Sequence, residues 1–192
     1  MLDRDTKERI IPPLLKELPG RYGITVIHVT HDWDEAYSLA DKLLIINEGK
    51  VVEEGDPEQV FTRPSRVFTA RFLGFQNVIK GLAERTENGS LVRLGNGISL
   101  NVNGEVDGGE VYVCIRPEWI EVLGGVSDNN DHYNVVGGVV REIIRNRLGY
   151  SVLVAVDNDL SLVAFSRVAF KPGEKVMLRI PRDSVHVVKG DN

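Results

Sequence analysis

One histidine stands where it could reach a phosphate group. The segment Thr25–Pro57 reads TVIHVTHDWDEAYSLADKLLIINEGKVVEEGDP, and His31 directly follows its first apolar, β-branched run. An imidazole at the end of a strand can donate a hydrogen bond to a phosphate oxygen as negative charge develops there. The alternative is that His31 only bonds a backbone group at the strand end. We assign that structural role to His28, and interpret His132 and His186 as ordinary surface or edge residues.

The elements that must position His31 alternate between strand and helix. Ile24–Thr30 is apolar at nearly every position, which predicts a strand covered on both faces, as in a parallel α/β sheet. Asp32 and Glu35 have the spacing of a capping box and predict a helix that begins after His31. The sequence then predicts a hairpin and a further helix start, with strands Leu43–Ile46 and Val51–Glu54, Gly49 in the turn, and a cap at Asp56-Pro57.

Composition and charge exclude several classes of protein. The net charge of −5 argues against a nucleic-acid binder, which needs a basic face, so we expect no nucleic-acid partner. The single cysteine allows no internal disulfide and no cysteine metal cluster, and we predict no metal site. No apolar run approaches the roughly 20 residues of a membrane span, and the N-terminus lacks the apolar core of a signal peptide. We therefore expect a cytoplasmic protein.

The second half of the chain has the pattern of an all-β domain. From about Asn77 onward, short alternating strands are separated by Gly, Asn and Asp turns. In two of these strands alternate apolar residues face one way: Val111, Val113 and Ile115, and again Val176, Leu178 and Ile180. Two echoes indicate an internal duplication of one β unit. They pair Asn77-Val-Ile-Lys-Gly81 with Asn134-Val-Val-Gly-Gly138, and Gly109-Glu110 followed by Pro117 with Gly173-Glu174 followed by Pro181.

Several motifs, in order and at matching spacing, resemble one family. The region around His31 resembles the switch-histidine region of an ABC transporter ATPase, and Leu2-Asp3 resembles the end of the D-loop of that family. The later motifs resemble the importer subfamily and its appended β domain, called TOBE. They are Phe61-Thr62-Arg63-Pro64, Phe72-Leu73-Gly74 and VCIRPEWIEV at Val113–Val122.

The resemblance implies an α/β remnant of an ABC ATPase domain over 1–73 and an all-β, OB-like TOBE barrel domain over 74–192. It implies that His31 is the switch histidine, which contacts the γ-phosphate and the attacking water, and that Asp3 contacts nucleotide or the dimer partner. The full-length family uses ATP and Mg²⁺. It works with transporter membrane subunits at the inner face of the cell membrane.

Other hallmarks of the family are missing from this sequence. It contains no phosphate-binding G-x-x-x-x-G-K-[ST] loop, no LSGGQ-type signature and no apolar strand ending in Asp-Glu. We expect no ATP hydrolysis and no nucleotide cofactor bound by this chain alone, because a switch histidine without these groups cannot organise hydrolysis. The strand Ile24–Thr30 would leave an unpaired apolar edge, so we expect a homodimer.

The β domain has three interpretations. In the first it is a regulatory part of an importer subunit, within which the sequence suggests a branch that handles molybdate- or tungstate-type oxyanions. The candidate oxyanion-binding residues offer amide, hydroxyl and cationic groups, and are Asn77, Lys80, Ser166, Arg167 and Lys171. In the second the chain is a free-standing oxyanion- or solute-binding protein, and in the third an OB-type nucleic-acid binder, which the acidity disfavours.

Two residues of the β domain have structural interpretations. Arg116-Pro117-Glu118 marks the family, but proline after a strand ends its ladder, and we expect Arg116 to pair with Glu118 or a neighbouring strand. Cys114 lies in an apolar strand and is predicted to be a buried small residue.

Overall fold

The computed structural model describes residues 14–87, 89–95, 97–125 and 131–190. The chain divides into two compact units, Met1–Pro64 and Ser65–Asn192.

The first unit is built from short helices and one hairpin. Its helices are α1 (14–22), α2 (Trp33–Leu39) and α3 (Pro57–Thr62), and its strands are β1 (Leu43–Asn47) and β2 (Lys50–Gly55). The predicted hairpin is confirmed, because β1 and β2 pair antiparallel. Its turn places Glu48 at φ 49° and Gly49 at φ 75°, the left-handed conformation of a tight two-residue hairpin loop.

Both predicted helix starts in this unit are confirmed. The Asp32 carboxylate accepts hydrogen bonds from the backbone N–H groups of Asp34 at 2.9 Å and Glu35 at 3.1 Å. The Asp56 carboxylate caps α3 in the same way, with the N–H of Glu58 at 2.9 Å. Each cap satisfies backbone donors that the first turn of a helix leaves free.

The prediction that Ile24–Thr30 forms a strand covered on both faces is wrong. Residues 23–30 have no regular secondary structure, and none of the described residues forms a ladder with them. Ile27 is 88% exposed and Val29 is 90% exposed. A strand exists only through hydrogen bonds to a neighbouring strand, so an apolar run without a neighbour stays irregular even when its residues favour strand. The expected α/β sheet is therefore absent from the described part of this unit.

The second unit consists of two five-stranded antiparallel sheets and one helix, α4 (Val67–Phe72). The first copy of a β unit comprises β3 (Asn77–Thr86), β4 (Gly89–Gly95), β5 (Ile98–Val102), β6 (Gly109–Ile115) and β7 (Glu121–Leu123). The second comprises β8 (Tyr133–Arg145), β9 (Tyr150–Ala155), β10 (Ser161–Ser166), β11 (Lys175–Pro181) and β12 (His186–Lys189). A short 3-10 helix precedes the last strand of each copy, at Pro117–Trp119 and Arg182–Ser184.

The two copies exchange their last strands. One sheet has the order β12-β6-β3-β4-β5 and the other has the order β10-β9-β8-β11-β7. The exchange has the same register in both sheets. His186 of β12 pairs with Cys114 of β6, and Glu121 of β7 pairs with Arg179 at the equivalent position of β11. The duplication predicted from the sequence is thus visible as two equivalent sheets, each completed by a strand of the other copy.

The register also refines the two sequence echoes. Asn77 pairs with Ile115 and Asn134 pairs with Ile180, so these two pairs occupy equivalent positions. The Asn echo therefore matches the structure. The Gly-Glu…Pro echo is one residue out of register. Since Ile115 of the first copy corresponds to Ile180 of the second, Pro117 corresponds to Arg182 and not to Pro181.

Each copy is tied to the other by an asparagine side chain. Asn77 donates to the carbonyl of Val163 at 2.8 Å and accepts from its N–H at 2.7 Å. Asn134 makes the same pair of bonds with Asn101, at 2.9 and 2.7 Å. Val163 lies on β10 and Asn101 on β5, which are edge strands of the two sheets. Each asparagine therefore satisfies backbone groups of an edge strand in the opposite sheet.

The glycine four residues later has a matching role. A Cβ at Gly81 would lie 2.7 Å from the Val92 side chain, and one at Gly138 would lie 2.5 Å from the Val154 side chain. A side chain at either position would therefore push the neighbouring strand away. The element Asn-x-x-x-Gly has the same structural function in both copies.

The two sheets enclose one hydrophobic core. Alternating residues of both copies contribute to it, among them Val113, Leu100, Val154, Leu162 and Leu178, all at most 1% exposed. The predicted inward alternation of Val111, Val113 and Ile115 and of Val176, Leu178 and Ile180 is confirmed, because all six are buried.

A smaller cluster joins α4 to the first sheet. Ala70 of α4 packs with Phe75, Cys114 and Val188, and α4 lies in the second compact unit. Cys114 is fully buried, as predicted, and burial raises the pKa of its thiol to about 12.

The Arg116 side chain packs on the aromatic residues of this cluster. Its guanidinium lies 4.4 Å from the centre of the Phe75 ring and 5.7 Å from that of Trp119. It also contacts Glu118 at 3.7 Å, which is the predicted pairing. Burial lowers the pKa of Arg116, and the contacts show a packing role for the Arg-Pro-Glu motif.

The asparagine tie between the copies can be tested by replacing Asn77 with alanine. Asn77→Ala leaves the backbone groups of Val163 without partners, so we expect the free energy of unfolding to fall by about 2–4 kcal/mol. Urea unfolding followed by circular dichroism measures this loss. Asn103→Ala is the matched control: the bond that Asn103 makes among the described residues is to the exposed Asp183 carboxylate, and we expect a loss below about 1 kcal/mol. Equal losses in the two variants would show that Asn77 does not tie the copies.

Candidate functional site

His31 is exposed at the start of the segment that leads into α2. Its neighbours are fixed by local hydrogen bonds: the N–H of Asp32 donates to the Thr30 hydroxyl at 3.0 Å, and Asp32 caps the helix. Thr30 and Asp32 therefore fix the backbone on both sides of His31. An exposed imidazole on a fixed backbone is accessible to a phosphate group, as the predicted role requires.

Glu35 differs from a complete capping box. Its carboxylate lies 3.2 Å from Nε2 of His28, instead of returning to the N–H of Asp32. Hydrogen bonds from Thr30 and then from His28 lower the pKa of Glu35. His28 thus has a structural partner, in line with the role assigned to it.

An apolar stretch lies immediately before His31. Ile24, Ile27 and Val29 are all exposed although they are large and aliphatic. Contiguous exposed aliphatic residues of this kind mark a surface that another chain segment covers. Asp3, the second nucleotide-site candidate, lies outside the described residues.

Asn77, the first candidate for oxyanion binding, is fully engaged by the backbone. Besides Val163, its amide nitrogen donates to the Ile115 carbonyl at 3.1 Å, and the residue is 3% exposed. Both N–H bonds of the amide are used in these contacts. The structure therefore assigns Asn77 to the tie between the copies.

The other candidates fall into two places. Ser166, Arg167 and Lys171 belong to β10 and the loop after it, where the Ser166 hydroxyl bonds the carbonyl of Val168 at 2.9 Å. Lys80 lies on β3 in the other sheet. Its ammonium contacts the Glu110 carboxylate at 2.8 Å, and this hydrogen bond raises the pKa of Lys80. Ser166, Arg167 and Lys171 are thus close together in the chain, whereas Lys80 lies in the other sheet and has a charged partner.

No group of three or more His, Cys, Asp or Glu side chains among the described residues could hold a metal ion. In the same part of the chain, no helix is both long enough and apolar enough to cross a bilayer.

Comparison with solved structures identifies the fold of the second unit. The chain matches a structure of a cytoplasmic molybdate-binding protein with molybdate bound, with a TM-score of 0.50 and 18% identity, over 58% of this chain and 94% of that one. The likeness shows that the β part has an OB-like fold, as the sequence predicted.

Comparison with curated proteins identifies the relatives. No protein-family model matches the chain. The chain is 33% identical over 195 residues to a molybdate/tungstate import ATP-binding protein of Pyrococcus horikoshii, covering 97% of this chain and 53% of that protein. It is 29% identical over 175 residues to a spermidine/putrescine import ATP-binding protein of Acetivibrio thermocellus, covering 91% and 47%. A third match, 48% identical over 77 residues, is an Fe(3+) ions import ATP-binding protein of Streptomyces coelicolor, covering 40% and 22%.

The resemblance seen in the sequence is confirmed: the relatives are ATP-binding subunits of ABC importers, and they cover most of the chain. The chain spans about half the length of the first two relatives.

The apolar stretch before His31 makes a prediction about association. We expect the chain to self-associate at micromolar concentration, because Ile27 and Val29 offer unpaired strand-forming residues to a second copy. The double variant Ile27→Lys/Val29→Lys should shift the protein to monomer in sedimentation velocity. Leu148→Lys/Val168→Lys is the matched control, since these residues are 83% and 66% exposed in the other unit. A wild-type chain that sediments as a clean monomer would contradict the prediction.

Proposed function

We propose that this chain is the C-terminal portion of the ATP-binding subunit of an ABC importer. The observation that carries the proposal is the 33% identity to an import ATP-binding protein over 97% of this chain. In this proposal residues 1–73 correspond to the end of the ATPase domain and residues 74–192 to a regulatory TOBE domain.

The first unit supplies the nucleotide-facing part. His31 donates a hydrogen bond to the terminal phosphate of ATP, while the remaining phosphate- and Mg²⁺-binding groups come from sequence of the kind found in the other half of the relatives. The exposed Ile27 and Val29 support this assignment, because an apolar strand segment before the histidine needs neighbouring strands to cover it. Asp3 is retained as a contact to nucleotide or to the dimer partner.

The assembly follows from the same proposal. Two ATP-binding subunits form a homodimer and work with membrane subunits, which places this chain in the cytoplasm against the inner face of the membrane. The β domain serves regulation in this proposal, and its two copies share one hydrophobic core.

For the solute, we favour an oxyanion of the molybdate or tungstate type. The Pyrococcus horikoshii relative, whose match covers 97% of this chain, is named for molybdate/tungstate import. The other two relatives are named for the import of spermidine/putrescine and of Fe(3+) ions. Within the β domain, the loop residues Ser166, Arg167 and Lys171 are the remaining candidates for direct contact. Arg167 and Lys171 are exposed cations that could face an anion.

The role of His31 can be tested in a chimera. The segment of the Pyrococcus horikoshii relative that precedes its match to this chain is fused ahead of Leu2. We expect the chimera to hydrolyse ATP and the unfused chain to hydrolyse none. His31→Ala in the chimera should lower the turnover by about 100-fold, because it removes one donor to the transferring phosphate. Phosphate release measures the rate.

His132→Ala is the control for this experiment, since His132 lies in the β domain. It should leave turnover unchanged. Full activity in the His31→Ala chimera, or phosphate release by the unfused chain that survives purification to homogeneity, would contradict the proposed role.

The oxyanion assignment can be tested by calorimetric titration of the chain with tungstate, molybdate, sulfate and spermidine. We expect saturable binding of tungstate and molybdate, and weaker binding in Arg167→Gln because a charge-assisted hydrogen bond is lost. Arg93→Gln, whose arginine is already paired with Glu84 at 2.8 Å, is the control. Binding of spermidine in preference to every anion would reject the oxyanion branch while leaving the importer assignment intact.

A further inference from the structure

Two adjoining clefts open around Tyr133 in the second unit. The first, of about 280 Å³, is lined by polar groups that include Ser99, Asn101 and Arg182. The second, of about 370 Å³, is lined by the aromatic side chains of Trp119 and Phe165. Tyr133 lines both clefts, so a ligand that passes this residue would contact a polar end and an aromatic end, and the two clefts together are called the depression. Their sizes are typical of sites for small molecules.

The polar end contains a buried donor without an acceptor. The Nε atom of Arg182 is buried and has no hydrogen-bond partner among the described residues. On the other side of the same guanidinium, Nη2 lies 3.9 Å from the carboxylate of Asp131, which is fully exposed and therefore screened by water. An arginine keeps its charge, so a guanidinium that is only weakly paired within the protein can attract an anionic ligand.

The fold itself does not require an arginine at this place. In the first copy the position equivalent to Arg182 is Pro117, and the position equivalent to Tyr133 is Gln76. Both copies nevertheless form the same sheet. The cation of Arg182 and the ring of Tyr133 are therefore specific to the second copy, and both line the same cleft.

The aromatic end differs from its counterpart in the first copy. Arg179 is equivalent to Cys114, which is fully buried in the cluster with Phe75. Arg179 itself is 31% exposed, lies 4.8 Å from the centre of the Tyr133 ring, and donates to the Glu121 carboxylate through Nε at 2.8 Å. The second copy thus has a partly exposed arginine beside an aromatic cleft at the position where the first copy has a buried cysteine.

The charges around the clefts decide the sign of a ligand. Glu121 is bonded by Arg179, and Glu118 contacts Arg116 at 3.7 Å, so these two acids have cationic partners. Asp131 also lines the polar cleft, but it is fully exposed and lies 3.9 Å from Arg182, so Arg182 is the more weakly paired of the two arginines that line the clefts. The hydroxyl of Ser99 and the amide of Asn101, in the same cleft, can add further hydrogen bonds to an oxygen-rich group.

We propose that this depression binds a small organic anion that carries a ring, such as an aryl phosphate or an aromatic carboxylate. The anionic group accepts hydrogen bonds from the partly exposed guanidinium of Arg182. The ring packs among Trp119, Phe165 and Tyr133, where flat apolar surfaces are favoured. This site is separate from the loop of Ser166, Arg167 and Lys171 and does not depend on the importer assignment.

The test uses Trp119 as a reporter in the full chain. The chain has two tryptophans, and Trp33→Phe leaves Trp119 as the remaining one. Phenyl phosphate is titrated against this variant, with inorganic phosphate and benzyl alcohol as probes for the two ends of the depression. We expect a saturable change in fluorescence, with phenyl phosphate binding at least about tenfold more tightly than either half-probe.

Two substitutions separate the contributions. Arg182→Gln should weaken phenyl phosphate binding by about tenfold or more and leave benzyl alcohol unaffected, because only the anionic contact is lost. Phe165→Leu should weaken both ring-bearing probes and leave inorganic phosphate unaffected. Arg93→Gln is the control for loss of an exposed cation and should bind as the parent does.

Several results would overturn the proposal. They are the absence of saturable binding, inorganic phosphate binding as tightly as phenyl phosphate, and unchanged affinity in an Arg182→Gln variant with a native near-ultraviolet circular dichroism spectrum.

Discussion

The second unit depends on the reciprocal pairing of two short strands. β7 completes the sheet of the second copy by pairing with β11, and β12 completes the sheet of the first copy by pairing with β6. Neither copy can therefore form its full sheet from its own residues. The core residues of both copies lie in one cluster, so the exchange converts two small repeats into a single cooperative body.

The Asn-x-x-x-Gly element is the local device that makes this exchange compact. The side chains of Asn77 and Asn134 bond backbone groups of the edge strands β10 and β5, which have no neighbouring strand on that side among the described residues. Gly81 and Gly138 allow the neighbouring strand in their own sheet to approach closely. Because both copies need both contacts, a duplicated sequence retains the same residues at the same spacing. The side-chain amide of Asn77 therefore has a structural function in this fold.

Features set by neighbouring residues could be predicted from the sequence. The β1–β2 hairpin follows from Gly49 between two apolar runs, and the starts of α2 and α3 follow from the carboxylates of Asp32 and Asp56. The alternation of buried apolar residues along β6 and β11 could also be predicted from the sequence. Ile24–Thr30 shows the limit, since its composition favours strand but a strand depends on partners that composition cannot supply.

Features set by distant residues could not be predicted. The exchange of β7 and β12 joins segments far apart in the chain, and nothing in either short segment indicates its partner. The depression around Tyr133 was missed for the same reason, because Tyr133 and Arg182 resemble ordinary turn residues until β8 and β11 place them side by side. One signal was available: comparison of the two copies in correct register sets Arg182 against Pro117.

The cooperativity of the two copies is the central claim, and native-state hydrogen exchange tests it most directly. If each copy is completed by a strand of the other, amides of β3 and β6 and amides of β8 and β11 should exchange through one common unfolding event. Their free energies of opening should then converge to a single value as denaturant is added. Two separate plateaus, one for each copy, would show that the copies unfold independently and would contradict the exchange as the organising constraint of the fold.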